Sequence, residues 1–245
     1  MRIGIIGAGH IGKTLARKFS AGGHDVLVAN SRGPETIEPD ALEFGARAAT
    51  ATGAIAGADV VIISVPFGRI PKVANSIACD VPREAVVIDT SNYYPHLGGV
   101  IDGIERGQVE SLWVAEQLGR PIVKAWSAVP ATTLQERGVP AGTPGRIALP
   151  VAADSDAERR VGMDLMDESG FDPFDAGTLA ESWRQQPGQP AYCTDLGMEE
   201  MGPALAAADR TGAPKKRDLY LERLAALGPS PSSDDMVRLI RTLVR

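Results

Sequence analysis

The first fourteen residues constrain this chain more than any other segment. An apolar run, Ile3-Gly-Ile-Ile6, feeds without a spacer into Gly7-Ala8-Gly9-His10-Ile11-Gly12. A G-x-G-x-x-G turn between a buried strand and an amphipathic helix has a specific physical use. The first glycine makes the tight turn out of the strand, the second lets the backbone approach a pyrophosphate, and the third lets the helix close onto the strand. The free amides and positive dipole end of that helix then face the phosphates. Leu15 and Phe19 on one side, with Lys13, Arg17 and Lys18 turned outward, mark the next segment as such a helix.

The same residues spell a rival motif. Gly7 through Thr14 also fit G-x-x-x-x-G-K-[ST], the phosphate loop of nucleotide triphosphatases, with Val86-Val-Ile-Asp89 as the magnesium strand. That reading makes Lys13 a phosphate ligand and Thr14 a magnesium ligand. The residues after the second strand separate the two.

Apolar runs recur at residues 3–6, 25–29, 59–65, 85–89, 121–125 and 146–152, with helical or loop segments between them. Near-continuous Val/Ile runs, rather than alternation, predict strands buried on both faces of a mostly parallel sheet. The alternation with helices predicts an α/β, Rossmann-type doubly wound fold. A last strand at 170–174 is expected to close a nucleotide-binding domain over residues 1–177. From 178 to 245 strand signals stop, and helices are expected at 196–208, 217–226 and 236–244. Residues 228–235 read as a linker ending in helix-capping residues. The face carrying Met236, Val237, Ile240, Leu243 and Val244 is expected to pack on the chain itself or on a second subunit.

Composition excludes several classes. With 25 Lys and Arg against 31 Asp and Glu, the net charge is −6, which argues against a nucleic-acid partner. No run is long enough for a membrane span, and the glycine-broken N-terminus does not read as a signal peptide, so a cytoplasmic protein is expected. Cys79 and Cys193 form no metal spacing, and each reads as a small buried hydrophobe in a reducing compartment. No metal site and no nucleophile–base arrangement is expected.

After the second strand stands Asn30-Ser31-Arg32-Gly33-Pro34, where an NAD site usually carries an acid for the ribose hydroxyls. Arg32 can pair with a 2′-phosphate and stack on adenine, while Ser31 donates a hydrogen bond. Pro34 suits the first turn of a helix whose amides face the same anion. The combination favours NADPH over NADH and demotes the triphosphatase reading, which has no use for it. Ligands in such a fold lie beyond the carboxyl ends of the strands. Ser64, Val65 and Pro66 are therefore placed to line the nicotinamide ribose, with Phe67 as an apolar wall or as core. Asn92 and Tyr94, after the fifth strand, and Lys124 to Pro130, after the sixth, open onto the same crevice. Lys124 reads as an ion-pairing or surface lysine, with acid–base use as the alternative.

Assembled, these segments resemble the family of NADP oxidoreductases dependent on coenzyme F420, a deazaflavin. The resemblance runs from Met1 to about Tyr192. It rests on Gly7-Ala-Gly-His-Ile-Gly12, Asn30-Ser-Arg-Gly33, Ser64-Val-Pro66, Asp89-Thr-Ser-Asn-Tyr-Tyr-Pro95, Val123-Lys-Ala125 and Asp175-Ala-Gly177. It implies a Rossmann domain carrying NADP(H) and a small C-terminal part that covers the deazaflavin and pairs subunits into a homodimer. By position it implies Ala8, Gly9, His10 and Ile11 at the pyrophosphate, and Ser31 and Arg32 at the 2′-phosphate. Val65, Pro66, Ala125, Val129 and Ala131 would surround the nicotinamide and the second ring. The stretch beyond Thr194 is longer than in compact members, which leaves FMN, an iron chelate or another small-molecule hydride acceptor open beside F420.

Ring-to-ring hydride transfer asks the protein for stacking, distance and exclusion of water rather than for a catalytic side chain. A carbonyl or imine reductase needs a positioned proton donor. Only three histidines exist, His10, His24 and His96. His24 reads as structural, and Tyr93, Tyr94 and Lys124 are the remaining donor candidates. A β-hydroxyacid-dehydrogenase or imine-reductase-like enzyme and a non-catalytic NADP(H) sensor stand as alternatives.

Overall fold

The computed structural model describes residues 1–226 and 232–244. Its frame is a six-stranded, all-parallel sheet. In chain order the elements begin β1 (Arg2–Ile6), α1 (His10–Ala21), β2 (Asp25–Ala29), β3 (Arg47–Ala48), α2 (Ala51–Ile55), β4 (Val60–Ile63), α3 (Ile70–Ile77) and β5 (Val86–Asp89). Three short helices come next, α4 (Pro95–Gly98), α5 (Asp102–Glu105) and α6 (Glu110–Leu118), then β6 (Val123–Lys124) and α7 (Ala131–Glu136). The strand order is β3-β2-β1-β4-β5-β6. This is the doubly wound order, and its reversal between β1 and β4 opens a crevice outside their carboxyl ends.

The continuous apolar runs are explained by burial of both faces. Ile3, Ile5, Val26, Val28, Ile62 and Ile88 pack with Leu15, Phe19 and Leu134 on one side. Ile6, Leu27, Val61, Ile63 and Val87 pack with Ile55, Ile70, Ile77 and Val114 on the other. Gly4 shows how close the second layer comes, since a Cβ there would lie 2.3 Å from the Ala54 carbonyl oxygen.

The next three elements are β7 (Ala148–Val151), α8 (Asp156–Glu168) and β8 (Asp172–Asp175). The two strands expected at 146–152 and 170–174 form, but as a separate parallel pair, joined to β6 only through an antiparallel Lys124–Ala152 bridge. Two features account for the split. β6 is just two residues long, and two residues beyond it Trp126 adopts φ +53°. Pro150 and Pro173, one in each strand, lack the N–H a longer ladder requires.

Beyond Gly177 the described residues form a 3₁₀ stretch (Leu179–Gln185), an irregular segment, and then α9 (Met198–Ala206), α10 (Ala213–Ala226) and α11 (Ser233–Val244). α10 starts four residues earlier than its apolar pattern suggests, with Pro214 in its first turn. α11 also starts earlier. Ser232 accepts from the Asp235 amide, and Asp235 accepts from the Ser232 amide and hydroxyl, a reciprocal cap. Of the expected linker, residues 228–231 lie outside the described residues. The α11 stripe packs on its own chain, where Ile240 meets Ala128, Tyr192 and Cys193. Cys193 is buried as expected, whereas Cys79 is exposed, because α3 ends at Ile77 and the turn after it faces solvent. None of the described helices is long and apolar enough to cross a membrane.

Candidate functional site

The glycine turn sits at the switch point and divides its labour among the three glycines. Gly7 has φ +116°, and a Cβ on it would lie 2.0 Å from the Ser64 carbonyl oxygen. A Cβ on Gly12 would lie 2.0 Å from the Gly7 carbonyl oxygen, so both are fixed by backbone packing. Gly9 differs, because a Cβ there would meet nothing within 4 Å. It faces open space at the start of α1, the position at which a pyrophosphate would approach. No side chain caps this end, and no acid lies in the first helical turn. His10 and Gly9 are exposed, and Ala8 and Ile11 half-buried, around the same helix end.

The rival phosphate-loop reading loses its ligands. Lys13 Nζ is 2.8 Å from both Glu38 and Asp40, and this pairing holds its pKa above the usual lysine value. Thr14 is buried, and its Oγ1 donates to the His10 carbonyl at 2.8 Å.

At the end of β2, Asn30 shapes the loop that presents its neighbours. Its Oδ1 accepts from the amides of Arg32 (2.9 Å) and Gly33 (3.0 Å), and its Nδ2 donates to Thr36 Oγ1 at 2.9 Å. Ser31 and Arg32 are thereby held exposed, and among the described residues the Arg32 guanidinium enters no ion pair or hydrogen bond. The helix expected after Pro34 is a single 3₁₀ turn, Pro34–Thr36. Thr36 Oγ1 donates to the Gly33 carbonyl there, so the loop supplies little helix dipole and the positive charge rests on Arg32.

At the β4 tip, Ser64 and Val65 are half-buried and Pro66 is exposed, while Phe67 turns inward. Phe67 stacks on Trp113 with ring centroids 4.8 Å apart and meets Tyr93 edge-on at 5.5 Å. Of its two expected roles it fills the core one, with an edge on a cavity of about 60 Å³ shared with Pro66, Asn92 and Tyr94. At the β5 tip, Asn92 Nδ2 donates to the Ser127 carbonyl at 2.8 Å, tying the loops after β5 and β6 together. Ala125 is fully buried, its amide given to the Asp89 carbonyl, and Val129 belongs to the core behind the crevice. Ala131 is half-buried at the start of α7.

A family model described as "NADP oxidoreductase coenzyme F420-dependent" matches residues 2–93. The protein YjhV of Escherichia coli (strain K12) is 39% identical over 100 residues, which are 40% of this chain and 72% of that protein. The crystal structure of SMa0349 from Sinorhizobium meliloti superposes with a TM-score of 0.68 at 30% identity, over 80% of this chain and 95% of that one. The chain belongs to the NADP oxidoreductase, coenzyme F420-dependent family. A candidate F420-dependent NADP reductase from Arthrobacter sp. FB24 shares the fold at 17% identity, with a TM-score of 0.60 over 93% of this chain and 95% of that one.

Within this NADP oxidoreductase, the most tightly built part of the crevice is one that sequence patterns do not announce. Lys124 and Asp89 are register partners on β6 and β5, only 1% and 0% exposed, with Nζ 2.7 Å from Oδ2. Lys124 Nζ also donates to the Ser91 carbonyl, and Asp89 Oδ1 accepts from the Ser91 amide and hydroxyl. Of the roles considered for Lys124, the structure shows the ion pair. Glu110, 4% exposed, accepts from the Tyr93 amide at 3.0 Å beside this pair. Burial pushes its carboxyl up to about 7, partly opposed by the Lys124 and Arg217 charges. The only sequence hint of this cluster is a lysine inside an otherwise apolar strand.

The phenols of Tyr94 and Tyr192 share a hydrogen bond of 2.8 Å under α10 and α11, and burial raises both pKa values well above the usual tyrosine range. His24 is structural, with Nε2 2.6 Å from Glu168 and Nδ1 3.2 Å from the N-terminal amine.

The division of roles among the glycines is open to test. Gly9→Ala keeps the fold, since its Cβ meets no protein atom, and loses NADP affinity in calorimetry. Gly12→Ala, which forces a backbone contact apart, lowers stability by about 1–3 kcal/mol in urea melts. Equal melting of the two variants would contradict that division. For Glu110, the folded pKa lies above the unfolded value of 4.5, so the stability it lends is complete below that pH and is lost as pH rises toward 7. Glu110→Gln keeps an acceptor for Tyr93 but no charge. Its stability relative to the native chain should improve by up to about 3 kcal/mol between acid and mildly alkaline melts. A difference independent of pH would show that the carboxyl ionises as a surface glutamate does.

Proposed function

We propose that the protein binds NADP(H) through residues 1–177 and transfers a hydride between its nicotinamide and a deazaflavin (F420) or flavin-type (FMN) acceptor held under residues 178–245. The observation that carries the nucleotide half is an uncapped helix N-terminus, open at Gly9, beside an arginine with no partner among the described residues. A dinucleotide bearing a 2′-phosphate supplies anions to both positions. The helix start at Gly9–Ile11 holds the pyrophosphate, Ser31 and Arg32 bind the 2′-phosphate, and Asn30 fixes their loop. Ser64, Val65, Pro66 and Asn92 flank the nicotinamide and its ribose, with Ala131 and Val129 toward the second ring and Ala125 as backing. NADPH, when bound, supplies the hydride from its nicotinamide C4.

The acceptor half rests on family membership and on the engagement of most acid–base groups elsewhere, Tyr94 and the adjoining His96 excepted. His24 is engaged elsewhere, His10 sits at the phosphate end, and Lys124 is sealed in its ion pair. Such a crevice orients two rings and excludes water. The Tyr94–Tyr192 phenol pair favours a second reading, in which a carbonyl or imine is reduced with Tyr94 as proton donor. The partner in either case is a small molecule, and the proposed assembly is a cytoplasmic homodimer.

Mixing the protein and NADPH with F420, FMN and a panel of carbonyls, while following the nicotinamide absorbance, separates these readings. Oxidation with F420 or FMN is expected. Oxidation with carbonyls alone would replace the proposal by the second reading, and tight binding with no turnover would favour a sensor. Arg32→Ala should weaken NADPH binding by about 1.5–3 kcal/mol and leave NADH nearly unchanged in calorimetry. Equal losses for both would mean that Arg32 does not read the 2′-phosphate.

A further inference from the structure

Two polar side-chain atoms in the linked loops after β5 and β6 are buried without a hydrogen-bond partner among the described residues, Asn92 Oδ1, on a residue that lines the small cavity beside Pro66, and Ser127 Oγ. Buried polar groups are normally satisfied, so orphans at the tips of adjacent strands need an explanation. They are not independent. Asn92 comes after β5, Ser127 after β6, and the Asn92 amide nitrogen donates to the Ser127 backbone carbonyl at 2.8 Å. That bond settles the orientation of the Asn92 amide, nitrogen toward the protein and oxygen away from that bond. Ser127 is only 2% exposed, and its neighbour Trp126 takes a strained φ of +53° with its indole nitrogen bonded to Ser169 Oγ at 3.1 Å. Strained backbone of this kind persists where surrounding structure over-determines it, and it clusters at ligand sites. Here the over-determination is visible, because Lys124 locks Asp89 and the Ser91 carbonyl immediately before Asn92.

The geometry points to Asn92 and Ser127 as a receptor for a primary carboxamide, that of the nicotinamide ring. Asn92 Oδ1 is an acceptor without a donor, and the Ser127 hydroxyl is a donor without an acceptor. A primary carboxamide carries the matching N–H and C=O on one rigid planar group. Holding both ends of that group fixes the rotation of the nicotinamide about its glycosidic bond, and so decides which face of C4 is turned toward the acceptor. Both residues are positioning residues, and the inference rests on the proposed binding of NADP(H).

Calorimetry with three probes tests it: NADP⁺, its 3-acetylpyridine analogue, which keeps the carbonyl but replaces the amide nitrogen by a methyl group, and 2′-phospho-ADP-ribose, which lacks the ring. The native protein should bind NADP⁺ roughly tenfold more tightly than the analogue. Asn92→Ala should bring that ratio close to one. Ser127→Ala should weaken both dinucleotides severalfold and equally, while its melting temperature stays level or rises, because the hydroxyl removed has no partner among the described residues. Neither variant should change affinity for 2′-phospho-ADP-ribose, which also reports that each is folded. Equal binding of NADP⁺ and the analogue by the native protein, or full NADP⁺ affinity in Ser127→Ala, would overturn the assignment while leaving the NADP reading intact. Failure of the native protein to bind 2′-phospho-ADP-ribose would overturn that reading and this one with it.

Discussion

The proposed nucleotide end of this protein depends on how closely one helix approaches two strands. The contacts that set the distance are between backbone atoms: Gly7 against Ser64, and Gly12 against Gly7, each with no room for a methyl group. Because no side chain intervenes, the start of α1 is brought to the carboxyl edge of the sheet rather than held a side chain's length above it. The helix end can then remain without a side-chain cap and still be stable, since its packing comes from Leu15 and Phe19 against the strands. An unfilled requirement for negative charge is thus built in at the switch point. Ser31 and Arg32 are displayed beside it by Asn30, whose own hydrogen bonds go to the loop.

The opposite side of the crevice is fixed by charge rather than by close backbone packing. A buried lysine–carboxylate pair such as Lys124–Asp89 is a weak source of stability, because desolvating both ions offsets most of their attraction. It is a strong source of geometry, because losing either partner leaves a buried charge. Lys124 binds an Asp89 side chain and a Ser91 carbonyl, so it dictates where the chain goes on leaving β5. Asn92 then reaches across to the loop after β6. The two strand tips that border the proposed nicotinamide site are therefore one unit, with Glu110 beneath it as an additional titratable group.

The parts legible in the sequence are those governed by local rules. Strand–turn–helix order, the glycine turn, the loop after β2 and the apolar cores come from periodicity and from what glycine and arginine can do. What escaped depends on register and on tertiary neighbours. Pairing Asp89 with Lys124 requires knowing how β5 and β6 align, which no local pattern encodes. The choice between the two roles expected of Phe67 depends on Trp113, far along the chain, and the exposure of Cys79 on where α3 stops. The separation of β7 and β8 from the main sheet comes from a two-residue β6 and two prolines, signals that a run of apolar residues conceals.

The C-terminal part is assembled on different terms. The family model ends at residue 93, before β6, α7 and all of the C-terminal helices. α9 meets the frame through Met201 and Leu205 against Ala148 and Phe174, and α11 through a small apolar centre around Ile240, Tyr192 and Ala128, with polar ties around it. Ser233 hydrogen-bonds Thr133 at 2.7 Å, Asp234 pairs with Arg137, and the Arg241 guanidinium donates to the Thr194 carbonyl at 2.7 Å. A cover attached in this way can change its lining without disturbing the sheet, because no core strand runs through it. The start of α1 is pinned by backbone contacts that tolerate no side chain, whereas the C-terminal helices are held by side chains that can be exchanged. On the proposed reading, residues 178–245 would set substrate choice, and Gly9 and Arg32 would set the hydride carrier.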